Sequence, residues 1–537
     1  MNKLIRSAVA VLIVIALSLT MSGFVFAIEE DEYLGTLSET ADYLINTVSQ
    51  PQASQIGGEW SVIGMIRSEN NQSDDWLYRY CDNLIARVKY TDGILSDRKY
   101  TEFSRAILAL TAMGIDPSDV VGYNLLEPLN DYSSTISQGL SGAVFALISL
   151  DSGNYATDDP DTGTMRDMYI DFLLSRQLED GGFALSGAVS DPDVTAVVLQ
   201  AFANYLDRAD VKAAADEAIA RLSTLQNDTG GFKSYGASTA ESAAQVIITL
   251  CTYGISLDDP RFVKNGLAVL DNLMTYHVDG GGFNHIEDGT VDIMATEQAF
   301  LALTALMRFE KGMTKLYDMS DVAKSDISLT AGTGLLRKQD IVEKKEIVNP
   351  GATFEDISNH YARAEIEAMA SRGIINGYEN RWFRPDNTMT RAEFATLVVR
   401  ALNLPEVNVD VFEDVTADKW YAKYIGAAYT YGIVNGVSPT SFDPDGTITR
   451  QEGATMIARA AKLCGFDTDM AQVSIRNILM QFSDYTQVYD WAEESLAFCY
   501  SVGIFNSNAV SIRPRDVAPR CEISLMVYRL LNVSNLL

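Results

Sequence analysis

The sequence predicts a mainly α-helical protein, an α/α toroid followed by three small helical modules. Three observations support this prediction. A motif ending in Gly-Gly-Phe recurs about every 50 residues in the first 312 residues. A different five-part pattern occurs three times after residue 352. The composition is 47% hydrophobic and 21% charged over 537 residues, as expected of a chain with sizeable buried cores.

The N-terminal segment has the pattern of a secretory signal peptide. Lys3 and Arg6 precede an apolar run at 8–17, and Val-Phe-Ala at 25–27 is a small-x-small cleavage site. An uncleaved membrane anchor is the alternative, since the stretch is almost long enough to span a bilayer. We divide the chain into a signal peptide (1–27), a toroid (28–312), a linker (313–352) and three modules (353–408, 409–466 and 467–537).

Charge and rare residues exclude several classes of function. The chain has 72 acidic and 41 basic residues, a net charge of −31, which opposes binding to nucleic acid or passive adhesion to an anionic surface. Only three histidines are present, and the five cysteines include no Cys-x-x-Cys pair. The sequence therefore predicts no metal site, no cofactor and no disulfide framework.

The first 312 residues repeat one helical unit. Gln177 begins a motif that ends in Gly-Gly-Phe at 181–183, and the motif returns at 226–232 and 277–283. The glycines permit a sharp turn with positive φ, the Gln can bind carbonyls at a helix end, and the Phe plugs the turn. Each motif precedes a helix that is apolar on nearly all faces. At least five such units predict a ring of buried inner helices inside a second helical layer.

This region resembles the prenyltransferase and terpene-cyclase repeat superfamily. Phe172-Leu173, with Gln177 and the Gly-Gly-Phe at 181–183, is similar to that family's QW repeat. The segment at 191–196, Asp-Pro-Asp-Val-Thr-Ala, resembles the Asp-x-Asp-Asp-Thr-Ala motif of squalene-type cyclases. The resemblance implies a middle Asp that protonates an alkene, but Val194 replaces the last Asp of the motif. That replacement predicts a non-catalytic toroid.

Acidic residues near the starts of the inner helices are candidates for a toroid ligand site. In one interpretation they only favour the helix N-termini. In the other they form a ring of carboxylates around one mouth of the cavity, where a cation, sugar or other ligand could bind. An extracellular enzyme that processes a glycan, or an isoprenoid, remains the alternative to a ligand carrier. His285 lies in a polar loop and is expected to be solvated. The cavity candidates are Glu102, Asp191, Asp193, Glu241 and Glu297.

The last third repeats five elements in a fixed order. The first copy has Phe-Glu-Asp at 354–356, Gly-Ile-Ile-Asn-Gly at 373–377, Phe-Arg-Pro at 383–385 and Thr-Arg-Ala-Glu at 390–393. The second and third copies begin at Phe412 and Phe482, and both add a Trp that has Tyr361 as its counterpart in the first copy.

These copies resemble S-layer homology domains. The resemblance implies a three-pronged helical assembly that holds a protein non-covalently to secondary cell-wall polysaccharide, often a pyruvylated one. An Arg can fork onto a carboxylate, a Trp can stack on a sugar, and a Gly allows close approach. The Asp of each copy either caps the next helix or contacts sugar. The expected wall-binding residues are Asp356, Gly377, Arg391, Asp414, Trp420, Gly436, Arg450, Asp484, Trp491 and Arg520.

Thr390 with Glu393, and Thr449 with Glu452, fit the capping box and are expected to be structural. The third copy departs from the pattern at Ser507 and Pro519, so we expect its groove to be degenerate. Together the patterns predict an exported bacterial cell-surface protein whose three modules bind wall polysaccharide. It would display a toroid that binds a ligand, a partner or a glycan.

Overall fold

A computed structural model describes residues 30–69, 74–156, 165–506 and 509–537. The signal-peptide prediction at 1–27 and the departure at Ser507 lie outside these residues. Within them, no helix combines the length and apolar character needed to cross a membrane. All five cysteines are free and buried.

Twelve helices of the described residues form the first region. They are α1 Glu30–Thr47, α2 Glu59–Arg67, α3 Asp74–Tyr90, α4 Thr101–Ala112, α5 Tyr132–Ile136, α6 Leu140–Ser152, α7 Met165–Leu174, α8 Pro192–Phe202, α9 Ala209–Leu225, α10 Ala240–Thr252, α11 Val269–Met274 and α12 Ile293–Glu310. Helices α2, α4, α6, α8, α10 and α12 pack in sequence, and α12 packs back on α2 to close a ring. Helices α1, α7, α9 and α11 pack outside α12, α6, α8 and α10. The predicted toroid of two helical layers is thus present.

The Gly-Gly-Phe motifs make the turns that they predict. Gly181 and Gly230 have φ of +85° and +79°, a region in which only glycine is unstrained. Gln177 Nε2 donates to the Gly181 carbonyl at 2.8 Å, and Gln226 Nε2 donates to the Gly230 carbonyl at the same distance. The phenylalanine of each motif is completely buried.

Two short antiparallel hairpins follow or include these turns. In the first, β1 (Lys233–Ser234) pairs with β2 (Ala237–Ser238). In the second, β3 (His277–Val278) pairs with β4 (Gly282–Phe283). Both hairpins lie where the chain passes from an outer helix to the next inner helix, so the loops after each motif collect at one mouth of the ring.

The linker at 313–352 was expected to be a spacer, and it has no helix or strand, but it is fixed against the protein. Arg67 and Arg308, both 2% exposed, hold its first turn. Arg67 Nε donates to the Leu316 carbonyl at 3.1 Å, and both guanidiniums pair with Asp321. Further along, Asp82 of α3 accepts the N–H groups of Leu336 and Arg337.

The second region contains seven described α-helices. They are α13 Arg363–Ser371, α14 Arg391–Ala401, α15 Ala422–Thr430, α16 Arg450–Leu463, α17 Gln472–Leu479, α18 Asp490–Ser501 and α19 Arg520–Val533. Short 3-10 helices occur in both regions. They lie at Glu127–Asn130 and Pro260–Phe262 in the first region, and at Glu355–Ile357, Glu379–Arg381 and Tyr485–Gln487 in the second.

The three copies exchange contacts in a cycle. Helix α14 of the first copy packs on α15 of the second, α16 packs on α18 of the third, and α19 packs on α13 of the first. The long helices α14 and α16 also contact α19. Isolated bridges join Thr388 to Pro519, Thr390 to Thr447 and Thr449 to Val517. This arrangement gives the expected pseudo-trimer.

The toroid and the pseudo-trimer are in direct contact. Helix α19 packs on α3, and Asn532 Nδ2 donates to the Lys89 carbonyl at 3.1 Å. The Asn535 side chain accepts the Gly332 N–H at 2.8 Å and donates to the Thr330 carbonyl at 2.8 Å. The linker is therefore held between the two regions.

Candidate functional site

The arginine that begins each long helix of the pseudo-trimer reaches into another copy. Nε of Arg391 donates to the Phe442 carbonyl at 2.9 Å, and Nε of Arg450 donates to the Ile512 carbonyl at 2.8 Å. Nε of Arg520 closes the cycle by donating to the Phe383 carbonyl at 3.1 Å. The three arginines thus mark three grooves, each named after the copy whose loop it contains. Arg520 marks groove A at the first copy, Arg391 marks groove B at the second copy, and Arg450 marks groove C at the third copy.

Groove A is defined by the loop at 374–378, helix α14, Trp420 and Arg520, and has a volume of about 280 Å³. Arg520 Nη2 donates to the Asn376 carbonyl at 2.7 Å, and the guanidinium lies 4.9 Å from the ring of Tyr378. Trp420 is 57% exposed. All three copies therefore contribute to this one groove.

Groove C has the same plan and is defined by the loop at 504–506, helix α19, Tyr361 and Arg450, with a volume of about 250 Å³. Tyr361 is 70% exposed and takes the place that Trp420 has in groove A. The guanidinium of Arg450 lies 5.3 Å from the ring of Phe505.

Groove B is marked by Arg391, which contacts the loop at 433–436 and helix α16, and by the pseudo-symmetry of the three copies Trp491 takes the place in it that Trp420 has in groove A. Arg391 lies 5.0 Å from the ring of Phe442, and its Nη1 lies 3.6 Å from Glu452 Oε1. Trp491 is 55% exposed and begins α18, which packs on α16 as α15 packs on α14. The structure thus brings the predicted Trp420 and Arg520 together in groove A, and Arg450 together with Tyr361 in groove C.

A second arginine in each groove was not found by sequence reasoning. When the side-chain amides of Asn376 and Asn435 are oriented with their oxygens towards the grooves' arginines, each accepts a hydrogen bond. Arg400 Nη1 then lies 3.1 Å from the Asn376 amide oxygen, and Arg459 Nη2 lies 3.2 Å from the Asn435 amide oxygen. Arg529 Nη1 donates to the Ile504 carbonyl at 3.1 Å. Each lies nine residues after the arginine that begins its helix, a spacing visible in the sequence.

The aspartates of the three copies hold loops. Asp356 accepts the N–H groups of Phe383 and Arg384 at 2.8 and 2.7 Å. Asp414 and Asp484 make the equivalent pairs of bonds. The expectation that they cap the next helix is wrong, because the N-termini of α13, α15 and α18 have no side-chain cap. In each loop, the residue that follows the Phe or Ile has a positive φ, which is unfavourable for a residue other than glycine. The aspartate carboxylate accepts the N–H group of that residue and so stabilises this conformation.

Gly377 and Gly436 were expected to let a ligand approach the backbone closely, but the structure gives another reason for glycine at these positions. A Cβ at Gly377 would lie 2.5 Å from the ring of Phe354, and one at Gly436 would lie 2.3 Å from the Ser438 carbonyl oxygen. The close approach that requires glycine is therefore made by this chain's own packing.

The two predicted capping boxes are present, with Thr390 bonded to Glu393 and Thr449 to Glu452. In the third copy Pro519 offers no capping oxygen, so Glu522 is released and pairs with Arg450 and Arg513. The predicted degeneracy therefore affects Arg450 in groove C. Arg520, which also belongs to the third copy, lies in groove A and has no carboxylate of the described residues within 4 Å.

The toroid has a cavity of about 530 Å³ at the mouth where the inner helices begin. Two of the five acidic candidates, Asp193 of α8 and Glu241 of α10, line it together with His285. His285 Nδ1 lies 2.8 Å from Glu241 Oε1, so this histidine is paired as well as half-exposed.

Asp193 carries the clearest electrostatic perturbation in the cavity. Burial, with the nearby negative charges of Asp191 and Glu241, raises its pKa to about 6. Its Oδ1 atom is buried and has no hydrogen-bond partner. A buried carboxylate oxygen without a partner is costly, which marks this position as one where a ligand could bind.

The other three acidic candidates lie elsewhere. Asp191 caps α8 by accepting the N–H groups of Asp193 and Val194. Glu297 is buried and accepts the Gly57 N–H at 2.8 Å. Glu102 lies in the first turn of α4 and does not line the cavity. The candidates therefore do not form a continuous ring of carboxylates. Asp191 caps its helix, and Glu102, Asp193 and Glu241 lie in the first turns of theirs, as the first interpretation expects.

One group of metal-ligand type occurs among the described residues. Ligand atoms of His360, Asp386 and Cys521 lie within 4.8 Å of one another. However, His360 Nδ1 accepts the Ala362 N–H, and Cys521 Sγ lies 3.5 Å from the Tyr361 hydroxyl. Accepting at Nδ1 places the proton on Nε2, which opposes ligation through that atom.

Comparison with known families agrees with the pattern in the second region. The S-layer homology domain family matches residues 353–395 and 411–454, which are the first and second copies. The chain therefore contains an S-layer homology domain, as predicted. The third copy is assigned from its sequence pattern and its place in the pseudo-trimer.

The chain is similar to parts of several longer proteins. It is 32% identical to exoglucanase XynX of Acetivibrio thermocellus over 35% of this chain and 17% of that protein. It is 35% identical to the surface-layer 125 kDa protein of Lysinibacillus sphaericus over 29% of this chain and 12% of that protein. The chain thus spans less than a fifth of the length of these relatives. The relatives and the domain support a cell-surface, cell-wall-anchored protein.

Among solved structures, the unsaturated glucuronyl hydrolase of Bacillus sp. GL1 is similar, with a TM-score of 0.39 and 13% sequence identity. The similarity covers 54% of this chain and 99% of that structure.

Proposed function

We propose that this is an exported protein that binds anionic secondary cell-wall polysaccharide through the grooves of its pseudo-trimer and displays the toroid at the cell surface. The observation that carries the proposal is the pair of guanidiniums in each groove, beside an exposed aromatic ring. Arginine pairs suit a carboxylate, such as that of a pyruvyl ketal, and aromatic rings suit a sugar face.

The charge of the protein makes such local sites necessary. A net charge of −31 repels an anionic polymer on average, so binding must come from guanidiniums held in defined positions. The carbonyl bonds made by Nε of Arg391, Arg450 and Arg520 fix each guanidinium while leaving other N–H groups for a ligand. Since every groove uses all three copies, we infer that the three copies act as one binding unit.

We further infer that the signal peptide at 1–27 directs export and that the toroid belongs to the prenyltransferase-like type. The toroid would hold a ligand in its cavity. The cyclase alternative is disfavoured because Val194, which also lines the cavity, supplies no second carboxylate to the acid motif.

The test is sedimentation of the full mature chain with purified bacterial cell walls, before and after hydrofluoric acid removes the secondary polymer. We expect binding to untreated walls only. The variant in which Arg391, Arg400 and Arg520 are all changed to Ala should lose at least tenfold in affinity, because grooves A and B each lose guanidinium contacts to the polymer.

The matched control is Arg363→Ala, which removes an exposed arginine that pairs with Glu367 outside the grooves. It should bind walls like the wild type. Equal binding to stripped walls, or unchanged binding by the triple variant with its helical circular dichroism retained, would contradict the proposal.

A further inference from the structure

The toroid cavity is built by loops that the repeats themselves supply. Leu185 follows the first Gly-Gly-Phe motif, Ser234 and Tyr235 follow the second, and His285 follows the third. The inner helices α6, α8, α10 and α12 form its floor and walls. At about 530 Å³, the cavity is of the size that accommodates a small organic molecule.

The charges in the cavity are all of one sign. Asp193 and Glu241 line it, and no lysine or arginine of the described chain does. Glu241 is 8% exposed, and its only ionisable partner in the cavity is the imidazole of His285. Asp193 Oδ1 is buried and makes no hydrogen bond, and the hydroxyls of Ser234 and Ser242 are the only neutral donors of the described residues that act on this carboxyl. Buried carboxylates are normally paired with a cation, and here the protein provides none for Asp193.

The rest of the lining is largely apolar. Leu140, Phe145, Val197 and Met294 form much of the surface. Tyr235 is 80% exposed at the rim, so its ring is accessible to a ligand that enters the cavity. Aromatic faces attract organic cations, whereas a hydrated inorganic ion gains nothing from an apolar wall.

The amide groups at the bottom of the cavity are already engaged with one another. Gln200 Nε2 donates to Gln245 Oε1 at 3.1 Å, and Gln245 Nε2 donates to Gln298 Oε1 at 3.1 Å. This chain of amides joins three inner helices and offers no donor to the carboxyl of Asp193.

We propose that the toroid cavity binds a small organic cation, an ammonium group carried on an apolar or aromatic body, with Asp193 as its counter-ion. This inference rests on the proposed function and specifies the class of ligand that the toroid holds. The ammonium would donate to Asp193 Oδ1, and its body would lie against Phe145 and Tyr235. The charge of −31 over the chain would draw cations to the site from solution.

The test uses three probes with the same aromatic body and different charge, titrated by calorimetry into the full mature chain at pH 7.5. They are 2-phenylethylammonium, uncharged 2-phenylethanol and anionic 3-phenylpropionate. We expect the ammonium probe to bind about tenfold or more tightly than the alcohol, because a charge-assisted hydrogen bond replaces a neutral one. We expect the anion not to bind.

Asp193→Asn should remove the advantage of the ammonium probe over the alcohol and leave the affinity for the alcohol unchanged. Glu102→Gln is the matched control, since Glu102 occupies the first turn of another inner helix outside the cavity. It should bind all three probes like the wild type.

Equal affinity for the ammonium and the alcohol, tighter binding of the anion, or an ammonium affinity unaffected by Asp193→Asn would each overturn the proposal. Absence of binding by all three probes, in a chain that still sediments with walls, would overturn it while leaving the anchoring function intact. Wall sedimentation measures binding by the grooves, whereas calorimetric titration measures binding in the toroid cavity. Failure of the anchoring proposal and failure of the cation proposal are therefore distinguishable.

Discussion

The toroid and the pseudo-trimer use carboxylates in opposite ways. In the toroid, burial raises the pKa of Asp193 to about 6 and that of Glu297 to about 7. In the pseudo-trimer, Asp414 is exposed, and the N–H groups of Phe442 and Asp443 together with the Ser441 hydroxyl hold its pKa below the usual value. Ionisation of Asp193 and Glu297 therefore costs stability, whereas ionisation of Asp414 contributes stability.

The two regions also differ in how their repeats depend on one another. Each toroid unit makes its own Gly-Gly-Phe turn, and its Gln bonds both to that turn and to the following unit of the ring, Gln177 to the Ala214 carbonyl and Gln226 to the Phe262 carbonyl. Each copy in the pseudo-trimer instead places its arginine in the loop of another copy. A defect in one toroid unit should thus stay away from the grooves, whereas a defect in one copy should reach its neighbour.

The largest expected effect comes from removing a plug in the toroid. Phe183→Ala empties a completely buried site and should lower the free energy of unfolding by about 3–5 kcal/mol. Calorimetric unfolding should show this loss, while wall sedimentation well below the transition should stay at the wild-type level. Leu185→Ala, at a 56% exposed position two residues away, is the control. Loss of wall binding by folded Phe183→Ala would break the distinction between the regions.

A smaller effect is expected from Asp414→Ala in the pseudo-trimer. The change removes the acceptor for the Phe442 and Asp443 N–H groups and should cost about 1–3 kcal/mol. It should also weaken wall binding, because the carbonyl of Phe442 positions Arg391 of the neighbouring copy.

The control for this change is Asp418→Ala, which removes the same charge from an exposed position. It should alter the free energy of unfolding by less than about 0.5 kcal/mol. If Asp414→Ala lowered the free energy of unfolding without affecting wall sedimentation, the loop held by Asp414 would not be needed to position Arg391 for binding.

The sequence predicted what depends on local chemistry. The Gly-Gly-Phe turns, the buried inner helices and the two capping boxes follow from short motifs. The helix Glu59–Arg67 was missed because no such motif precedes it, although it completes the inner ring. In that helix Glu59 is buried, with the Ser54 N–H bonded to its carboxylate.

What the sequence could not show is which copy an arginine serves. The motif Thr-Arg-x-Glu is compatible with a helix cap and with a ligand site, and both roles are local. The cyclic exchange that sends Arg520 to the loop of the first copy arises from the packing of α19 on α13 and α14. For the same reason the sequence could not show that Pro519 affects Arg450 of the second copy, with which Glu522 pairs.

The contrast in carboxylates predicts a pH dependence. The pKa of Glu297 is near its usual value in the unfolded chain and about 7 in the folded toroid, so folding takes up a proton between these values. The free energy of unfolding contributed by this group should fall as pH rises from about 4.5 to 7 and then level off.

Glu297→Gln should remove that slope. Gln can still accept the Gly57 N–H at the same position, so the variant should gain stability relative to the wild type as pH rises. Urea unfolding at pH 5 and pH 8 measures the difference. A free energy of unfolding of the variant, relative to wild type, that stays constant or falls with rising pH would contradict the assignment. The exposed change Glu413→Gln should show no such pH dependence.

The smallest expected effect sharpens the comparison among the grooves themselves. In groove C, Glu522 has no capping role because Pro519 precedes its helix, and it pairs with Arg450. In groove B, Glu452 is engaged in its capping box and lies 3.6 Å from Arg391. Glu522→Gln should free Arg450 and raise wall affinity a few-fold. Glu413→Gln, an exposed change of the same charge, tests whether lower net charge alone is responsible. Equal gains in both variants would show that long-range repulsion, and not the pairing of Arg450, limits binding in groove C.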